Sequence, residues 1–371
     1  MPSVSVRPVV RFSLSRNETV DALRKKIDQI DEKVVALLND RAILAQRIGQ
    51  AKNSTDQEIY VPGREKEILH RLSQLNPGPL SAAAIRAIFQ EIISASRSLE
   101  APLKIAYFGA EASYAHLAAK DKFGSSAQLL PTASISDVFQ EVGQGRVSFG
   151  VVPIENSTEG VVAHTLDLLV ESDLKICAET YLEIHHNLLA RSGQAEDIRT
   201  IVSHPQALAQ CRRWLISHFP KANMEEVAST SHAAMMAASD SSVGAISSAL
   251  AKEVYKLQIV AANIEDHSTN ITRFLIVGRK ESGRSGDDKT SLVFSVKDEP
   301  GVLHRMLQPF AKSRINLTKI ESRPIKDKPW EYMFFLDFKG HSKERRVSKA
   351  IRELEKNCVF LKVLGSYPCG L

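Results

Sequence analysis

Three runs of this sequence join apolar residues directly to side chains that can donate, accept or carry charge. Residues 150–157 read Gly-Val-Val-Pro-Ile-Glu-Asn-Ser and deliver Glu155, Asn156 and Ser157 together. Residues 201–206 read Ile-Val-Ser-His-Pro-Gln, with Ser203, His204 and Gln206, and residues 270–274 read Asn-Ile-Thr-Arg-Phe, setting the hydroxyl of Thr272 beside the guanidinium of Arg273. Polar groups at the end of an apolar strand are aimed while the strand stays rigid, which is how ligand sites of open α/β sheets are built. Taken singly, each run also reads as a strand end followed by turn residues.

A second kind of chemistry is cationic. From Val20 the apolar residues fall at Leu23, Ile27, Ile30, Val34 and Leu37 and resume at Leu44 and Ile48, in steps of three and four that predict a long helix with a coiled-coil seam. Arg41 occupies the seam between Leu37 and Leu44, and Lys52 lies one turn beyond Ile48 on the same face. A charge in a packed seam needs a partner, since burying it alone costs several kcal/mol (roughly). That partner is either an anionic ligand or an acid such as Asp40, Glu32 or one on a neighbouring helix.

The elements that must hold these groups follow from period and punctuation. A second helix spans about 64–74, where Asn76-Pro77-Gly78-Pro79 stops it, and a third runs from Ser81 to Glu100 with Ile85, Ile88, Phe89, Ile92 and Ile93 inward. One long and two shorter helices cannot enclose a core around such a seam, so two chains are expected to exchange helices in an intertwined, obligate dimer. From 103–108 onward, strands at 150–152, 176–178 and 244–246 alternate with helices at 207–217 and 231–238, the pattern of an α/β sheet covered on both faces. Residues 281–289 have linker composition, and strands and helices after them follow the order βαββαβ of an α+β ferredoxin-like fold.

Composition sets the outer limits. The chain has 371 residues, 43% hydrophobic and 25% charged, enough for two or three domains, each with its own core. A net charge of +5 from 48 basic and 43 acidic residues is spread out, which disfavours nucleic acid and suits small anions. No apolar run is long enough to span a membrane. Cys177, Cys211, Cys358 and Cys369 lie far apart without ligand spacing, which fits a reducing cytoplasm and argues against a disulfide framework or a zinc site. Residues 1–18, with Arg7, Arg11 and Arg16 and no acid before Glu18, read as a disordered tail rather than a transit peptide.

The polar runs carry a resemblance. PIENS (153–157), TLDLL (165–169), HNLL (186–189), SHPQALAQC (203–211) and NITRF (270–274), in this order, are similar to the prephenate dehydratase family over residues 103–280. The resemblance implies two lobes with the ligand between them, and loss of the ring hydroxyl and a carboxylate from prephenate to give phenylpyruvate, water and carbon dioxide. It places Thr272 as proton donor to the departing hydroxide and Arg273 as organiser of the cleft or binder of anionic substrate. Glu155, Asn156, Ser157, Ser203 and Gln206 are expected to shape and polarise the rest. Two stretches depart from the family. Residues 109–114 read Gly-Ala-Glu-Ala-Ser-Tyr instead of a Gly-Pro-x-Gly-Thr-type turn, and Ala112 makes a positive φ costly. Residues 229–234 read Ser-Thr-Ser-His-Ala-Ala, with Ser231 where alanine is commoner; Ser229 or Thr230 is placed to touch a carboxylate at the helix start. His185 and His186 read as structural, because neighbours on a strand face opposite ways and no third ligand accompanies them. His204 is expected to hold its loop, and Cys211 to lie in the core.

On either side the resemblance continues. Residues 19–100 are similar to the all-α chorismate mutase domain, whose substrate cations fall on Arg24, donated from the second subunit, and on Arg41, Lys52 and Arg64. Glu65 falls on the hydroxyl-binding acid, Ser96 on a third-helix hydroxyl and Glu100 on the second donor to the ether oxygen. Rearrangement of chorismate to prephenate needs no nucleophile: fixed cations holding a dianion in its reactive conformer suffice. Val61 stands where some members have aspartate, and Glu100 must carry a proton to donate. Residues 290–371 resemble the ACT regulatory domain, with Gly301, Val302 and Leu303 and then Glu321, Ser322, Arg323 and Pro324 implied to hold phenylalanine at a dimer interface.

The whole chain thus resembles the bifunctional chorismate mutase/prephenate dehydratase family. That implies an isomerase and carbon–oxygen lyase in one multidomain chain, a homodimer or higher oligomer, inhibited by phenylalanine, without metal or other cofactor. Two other readings stand beside it. One is a non-catalytic amino-acid-binding regulator; the other is a dehydratase with a vestigial mutase domain, against which the retained cations speak.

Overall fold

A computed structural model describes residues 19–53, 60–100, 102–297, 299–325 and 328–370, giving only the backbone for residues 52–53, 325 and 328–331. The expected tail, 1–18, lies outside the described residues. The chain divides into two units, residues 1–57 and 58–371.

The first unit is built on one helix, α1 (Val20–Asn53), as the heptad pattern predicts. Leu23, Ile27, Ile30, Val34, Leu37, Leu44 and Ile48 are all between 36% and 67% exposed, so the seam is an open apolar stripe. A contiguous exposed apolar stripe of that kind marks an interaction surface.

The second unit begins with α2 (Pro62–Leu75), opened by a proline whose missing N–H costs nothing in a first turn. α3 (Ala82–Glu100) follows, its first turn capped by Ser81, which accepts the Ala84 N–H at 3.1 Å. These two helices, assigned by sequence to one domain with α1, pack in the second unit with everything that follows. The reason is a polar and aromatic anchor. Buried Arg97 donates to the Phe123 carbonyl at 2.7 Å, pairs with Glu65 and lies over the ring of Tyr60, which itself sits 5.1 Å from Phe123 and Phe149.

The α/β region forms two sheets. Its opening half contains β1 (Lys104–Phe108), α4 (Tyr114–Phe123), β2 (Gln128–Thr132), α5 (Ile135–Gly143), β3 (Phe149–Asn156), β4 (Gly160–Val161), α6 (Ala163–Glu171) and β5 (Lys175–Glu183). The chain then crosses to β6 (Asn187–Ala190), β7 (Thr200–Ser203), α7 (Pro205–Gln210), α8 (Arg212–His218), β8 (Asn223–Glu226), α9 (Thr230–Ser239), β9 (Val243–Ser247), α10 (Leu250–Tyr255) and β10 (Gln258–Ala261). It returns as β11 (Ile271–Gly278), inserted between β3 and β5, so the first sheet is ordered β2-β1-β3-β11-β5 and the second β10-β6-β9-β7-β8. Two lobes joined by two crossings leave a cleft between them, as the resemblance implied.

A third sheet closes the chain: β12 (Asp288–Ser295), α11 (Val302–Lys312), β13 (Leu317–Ile325), β14 (Lys328–Lys339), α12 (Arg345–Glu355) and β15 (Phe360–Pro368), ordered β13-β14-β12-β15. This is the expected βαββαβ arrangement. Val293, Phe335, Leu364 and Tyr367 share one core with Val152, Ile154, Leu166 and Leu275, so this sheet packs on the back of the first. Residues 281–289 are therefore not a loose tether. Ser282 donates to the Cys177 carbonyl at 2.6 Å, Asp288 starts β12, and Ser282, Asp288 and Lys289 are buried.

Candidate active site

β3 and β11 run antiparallel, with Asn156 opposite Thr272 and Glu155 opposite Arg273. Successive strand residues face opposite sides of a sheet, so this register sorts four polar side chains into two pairs. Asn156 and Thr272 face the inter-lobe cleft, a cavity of about 420 Å³ that both residues line.

Hydrogen bonds fix the directions of Asn156, Asn270 and His186 there. The Asn156 carbonyl oxygen accepts from the backbone N–H groups of Thr158 (2.9 Å) and Glu159 (3.1 Å), which forces its amide nitrogen toward the strands. That nitrogen donates to Thr272 Oγ1 and Asn270 Oδ1, both at 2.7 Å. Asn270 in turn donates to Gln210 Oε1 at 3.1 Å, and His186 Nε2 lies 2.8 Å from the same oxygen. A carbonyl only accepts, so the network assigns the proton of the neutral imidazole to Nε2, while Nδ1 lies 2.8 Å from the Tyr114 hydroxyl, which also donates to the His185 carbonyl at 2.9 Å. Burial holds the His186 pKa below its ordinary value, which favours this neutral form. The outcome matters at Thr272. Its oxygen already accepts from Asn156, so its own O–H is left to donate into the cleft.

The second lobe supplies the facing wall. His204 caps α7, its Nδ1 accepting from the Gln206 N–H at 3.3 Å, which places Gln206 at the cleft as expected and gives His204 its loop-holding role. Ser229 caps α9, and Ser229, Thr230 and Ser231 line the cavity. The opening loop does adopt the costly backbone: Ala112 has φ +62° and is fully buried. His116 Nδ1 accepts its N–H at 3.0 Å and Ser248 donates to its carbonyl at 2.7 Å, so surrounding bonds hold the strain. Cys211 is buried, its thiol pushed up to about 12 by desolvation, and serves as core.

Several expected cleft residues point elsewhere. Arg273 is buried on the opposite face: its Nε donates to Glu179 at 2.9 Å, one terminal nitrogen to Asp337 at 2.6 Å and the other to the Tyr367 hydroxyl at 3.0 Å. Burial opposes its charge, and the neighbouring Tyr367, Asp337 and Glu179 outweigh that and raise its pKa. Glu155 also turns away and pairs with Lys319 of the third sheet at 2.7 Å. Ser203 is fully buried, donating to the Ile246 carbonyl at 2.7 Å within its own sheet. Ser157 is exposed and spans the strand ends, donating to the Thr269 carbonyl and accepting from Ile271 N–H, both at 2.9 Å. Sequence reading does not single out Tyr114, Gln210 and Asn270, while His186, read as structural, is buried and held between Tyr114 and Gln210. Two of the first three were signalled: Asn270 precedes Thr272 by one strand period, and Gln210 follows Gln206 by one helical turn.

The helical residues are divided between the units. On α1, Arg24 is exposed and 3.5 Å from Asp21, Arg41 is half-buried, and the Lys52 side chain lies outside the described residues. In the second unit, Arg64 pairs with Glu67 at 2.6 Å, Glu65 with Arg97, and Ser96 donates to the Ile92 carbonyl at 2.7 Å, with Glu100 half-buried at the end of α3. Glu65 is thus held by a cation that sequence reading did not assign to it. In the third sheet, Gly301 takes φ +75° to start α11, ahead of Val302 and Leu303, and Glu321, Ser322, Arg323 and Pro324 lie on β13.

Comparison with known proteins agrees with this layout. Family models described as Chorismate mutase type II, Prephenate dehydratase and ACT domain match residues 23–101, 105–282 and 290–356 respectively. A bifunctional chorismate mutase/prephenate dehydratase from Aquifex aeolicus is 48% identical over 95% of this chain and 99% of its own length. One of the same description from Pseudomonas aeruginosa is 43% identical over 96% and 99%. Among solved structures, a prephenate dehydratase from Arthrobacter aurescens in complex with L-Phe is 33% identical, with a TM-score of 0.66, over 72% of this chain and 90% of that one.

Proposed function

The chain belongs to the bifunctional chorismate mutase/prephenate dehydratase family, and from that premise we propose how its residues divide the work. The enzyme rearranges chorismate to prephenate and converts prephenate to phenylpyruvate in phenylalanine biosynthesis, under phenylalanine control. In the dehydratase cleft, the electron pair of the bond to the departing carboxylate enters the ring, hydroxide leaves, and the Thr272 O–H protonates it, the threonine oxygen regaining its proton from solvent as the products depart. Carbon dioxide, water and the aromatic product result. The single observation that carries this is the Asn156 amide donating to Thr272 Oγ1 at 2.7 Å. It turns the threonine proton outward and steadies the oxygen as the proton leaves, the kind of preoriented dipole that lowers a barrier most. Gln206 and the start of α9 face the substrate from the other lobe.

For the rearrangement, Arg24, Arg41, Lys52 and Arg64 bind the dianion, with Glu65 and Ser96 on its hydroxyl side and Glu100 at the ether oxygen. Arg24 comes from a second copy, paired through the open stripe of α1 in a homodimer. Phenylalanine binds at Gly301, Val302 and Leu303 and at residues 321–324. No helix among the described residues is long and apolar enough to cross a membrane, and the four free thiols fit a reducing cytoplasm.

The test is Thr272→Ala in the full chain. Phenylpyruvate formation from prephenate is expected to fall by about 10²- to 10⁴-fold, the usual worth of a general acid, while chorismate consumption stays within about 2-fold of wild type. Dehydration retained in Thr272→Ala overturns the assignment.

A further inference from the structure

We propose that Glu155 and Arg273 are positioning residues, through which the third sheet sets the Asn156–Thr272 hydrogen bond and so transmits the effector's state to the dehydratase. This rests on the reading of Thr272 and of the third sheet given above. It goes beyond that reading because it assigns the route.

The route follows from strand alternation. The two strands that carry Asn156 and Thr272 toward the cleft carry Glu155 and Arg273 toward the third sheet, one residue away in each case and opposite each other in register. All four strands of that sheet grip this back face. Lys319 of β13 meets Glu155 at 2.7 Å, in an ion-pair contact that is poorly aligned as a hydrogen bond. Asp337 of β14 and Tyr367 of β15 hold Arg273 at 2.6 and 3.0 Å. Lys289 of β12 holds Glu179 at 2.7 Å, and Glu179 is also 2.8 Å from Arg273. Three cations face three carboxylates, so the clamp balances as a whole and leaves an unpaired charge if any one contact opens.

β13 is the strand that bears residues 321–324. Lys319, Glu321 and Arg323 share one of its faces by alternation, and Arg323 also reaches the first sheet's cover, 3.3 Å from Asp167 of α6. A ligand on β13 therefore acts on a strand already tied to Glu155. Any displacement of Lys319 pulls on Glu155, and the adjoining residue is the amide that aims the Thr272 proton. Packed sheets with paired charges repack between discrete arrangements rather than deform smoothly, which suits a two-state coupling.

The experiment uses the full-length protein, with prephenate dehydration measured with and without phenylalanine and chorismate consumption as the control within the same chain. Glu155→Gln, Lys319→Met, their double variant and the reversed pair Glu155→Lys/Lys319→Glu are compared. Each single variant is expected to lower dehydratase kcat about 5- to 10-fold with KM little changed, and to raise the phenylalanine concentration for half inhibition at least about 5-fold. The double variant is expected to be no worse than the worse single, and the reversed pair to recover part of both effects. Mutase turnover and thermal midpoint report folding, and Lys319→Met serves if Glu155→Gln fails to fold. Additive effects in the double variant, or a wild-type phenylalanine response in both singles, overturn the proposal. If Thr272→Ala keeps its dehydration, the reading of the cleft fails instead; if Thr272→Ala is inactive while the clamp variants are additive, only the clamp fails.

Discussion

The stripe of α1 and the strand pair β3–β11 are both products of strict sequence periodicity, yet only one of them is finished among the described residues. On α1 every third or fourth residue is apolar and open to solvent. On β3 and β11 every second residue already has its partner: Asn156 with Thr272 on one face, Glu155 and Arg273 with the third sheet on the other. A 3.5-residue repeat specifies a face but leaves its occupant to another helix, whereas a strand register specifies both partners at once. The mutase is therefore expected to depend on association, and the dehydratase cleft on local geometry.

The strongest way to break that contrast is Leu37→Asp, at the centre of the open stripe. A carboxylate in a coiled-coil seam abolishes packing there, so mutase turnover is expected to fall by about 10³-fold or more, with a smaller mass by light scattering. Dehydration of prephenate should stay within a few-fold. Retained mutase activity in a monomeric Leu37→Asp protein would mean that α1 completes its site without a second copy. Next in size is Asn156→Ala, which removes the donor that orients Thr272. Loss of one preorganised donor costs roughly 10²- to 10³-fold in kcat, so dehydration should drop by that amount while the mutase is untouched. A wild-type kcat would show that Thr272 needs no such orientation.

The same contrast explains what could be read without coordinates. α1, α2, α3 and the order βαββαβ were legible because each rests on short-range rules: period, caps and proline stops. Thr272, Asn156 and Gln206 were legible as polar residues at strand ends or a helix start. Arg273 and Glu155 were misplaced into the cleft because they stand next to cleft residues in sequence, although alternation requires neighbours on a strand to part. The rule that set His185 against His186 applies equally to Thr272 and Arg273. The partners that fix the directions, such as Gln210 for Asn270 and Asp337 for Arg273, lie 60 and 64 residues away, and no local pattern announces them. Ser203 was misplaced for a related cause: its hydroxyl is taken by the Ile246 carbonyl, a long-range choice that a hydroxyl at a strand end does not reveal.

A smaller effect probes the cleft network through pH. Burial keeps the His186 pKa below the unfolded imidazole's 6.5. Below 6.5 the unfolded chain therefore takes up a proton that the folded one resists. The stability this residue contributes is complete above 6.5 and declines as pH falls toward the folded value. In urea melts, the difference between wild type and His186→Gln should narrow from pH 7.5 to pH 5.5. A difference that does not change with pH would mean that His186 titrates alike folded and unfolded.

The smallest expected effect lies in the loop that obeys neither period. Ala112 holds φ +62°, which costs a non-glycine residue about 1–2 kcal/mol. Ala112→Gly removes that strain, but glycine frees the unfolded chain by roughly 0.5–1 kcal/mol and deletes a buried methyl worth about 0.8 kcal/mol. The terms nearly cancel, so the urea midpoint should move little in either direction. Ser248→Ala is the informative companion. It takes away the hydroxyl that donates to the Ala112 carbonyl at 2.7 Å, leaving a buried acceptor unpaired, and should destabilise by about 1–3 kcal/mol. If Ser248→Ala is silent and Ala112→Gly strongly stabilising, the loop's shape is imposed by its own sequence and not by the lobe that β9 and α10 build around it.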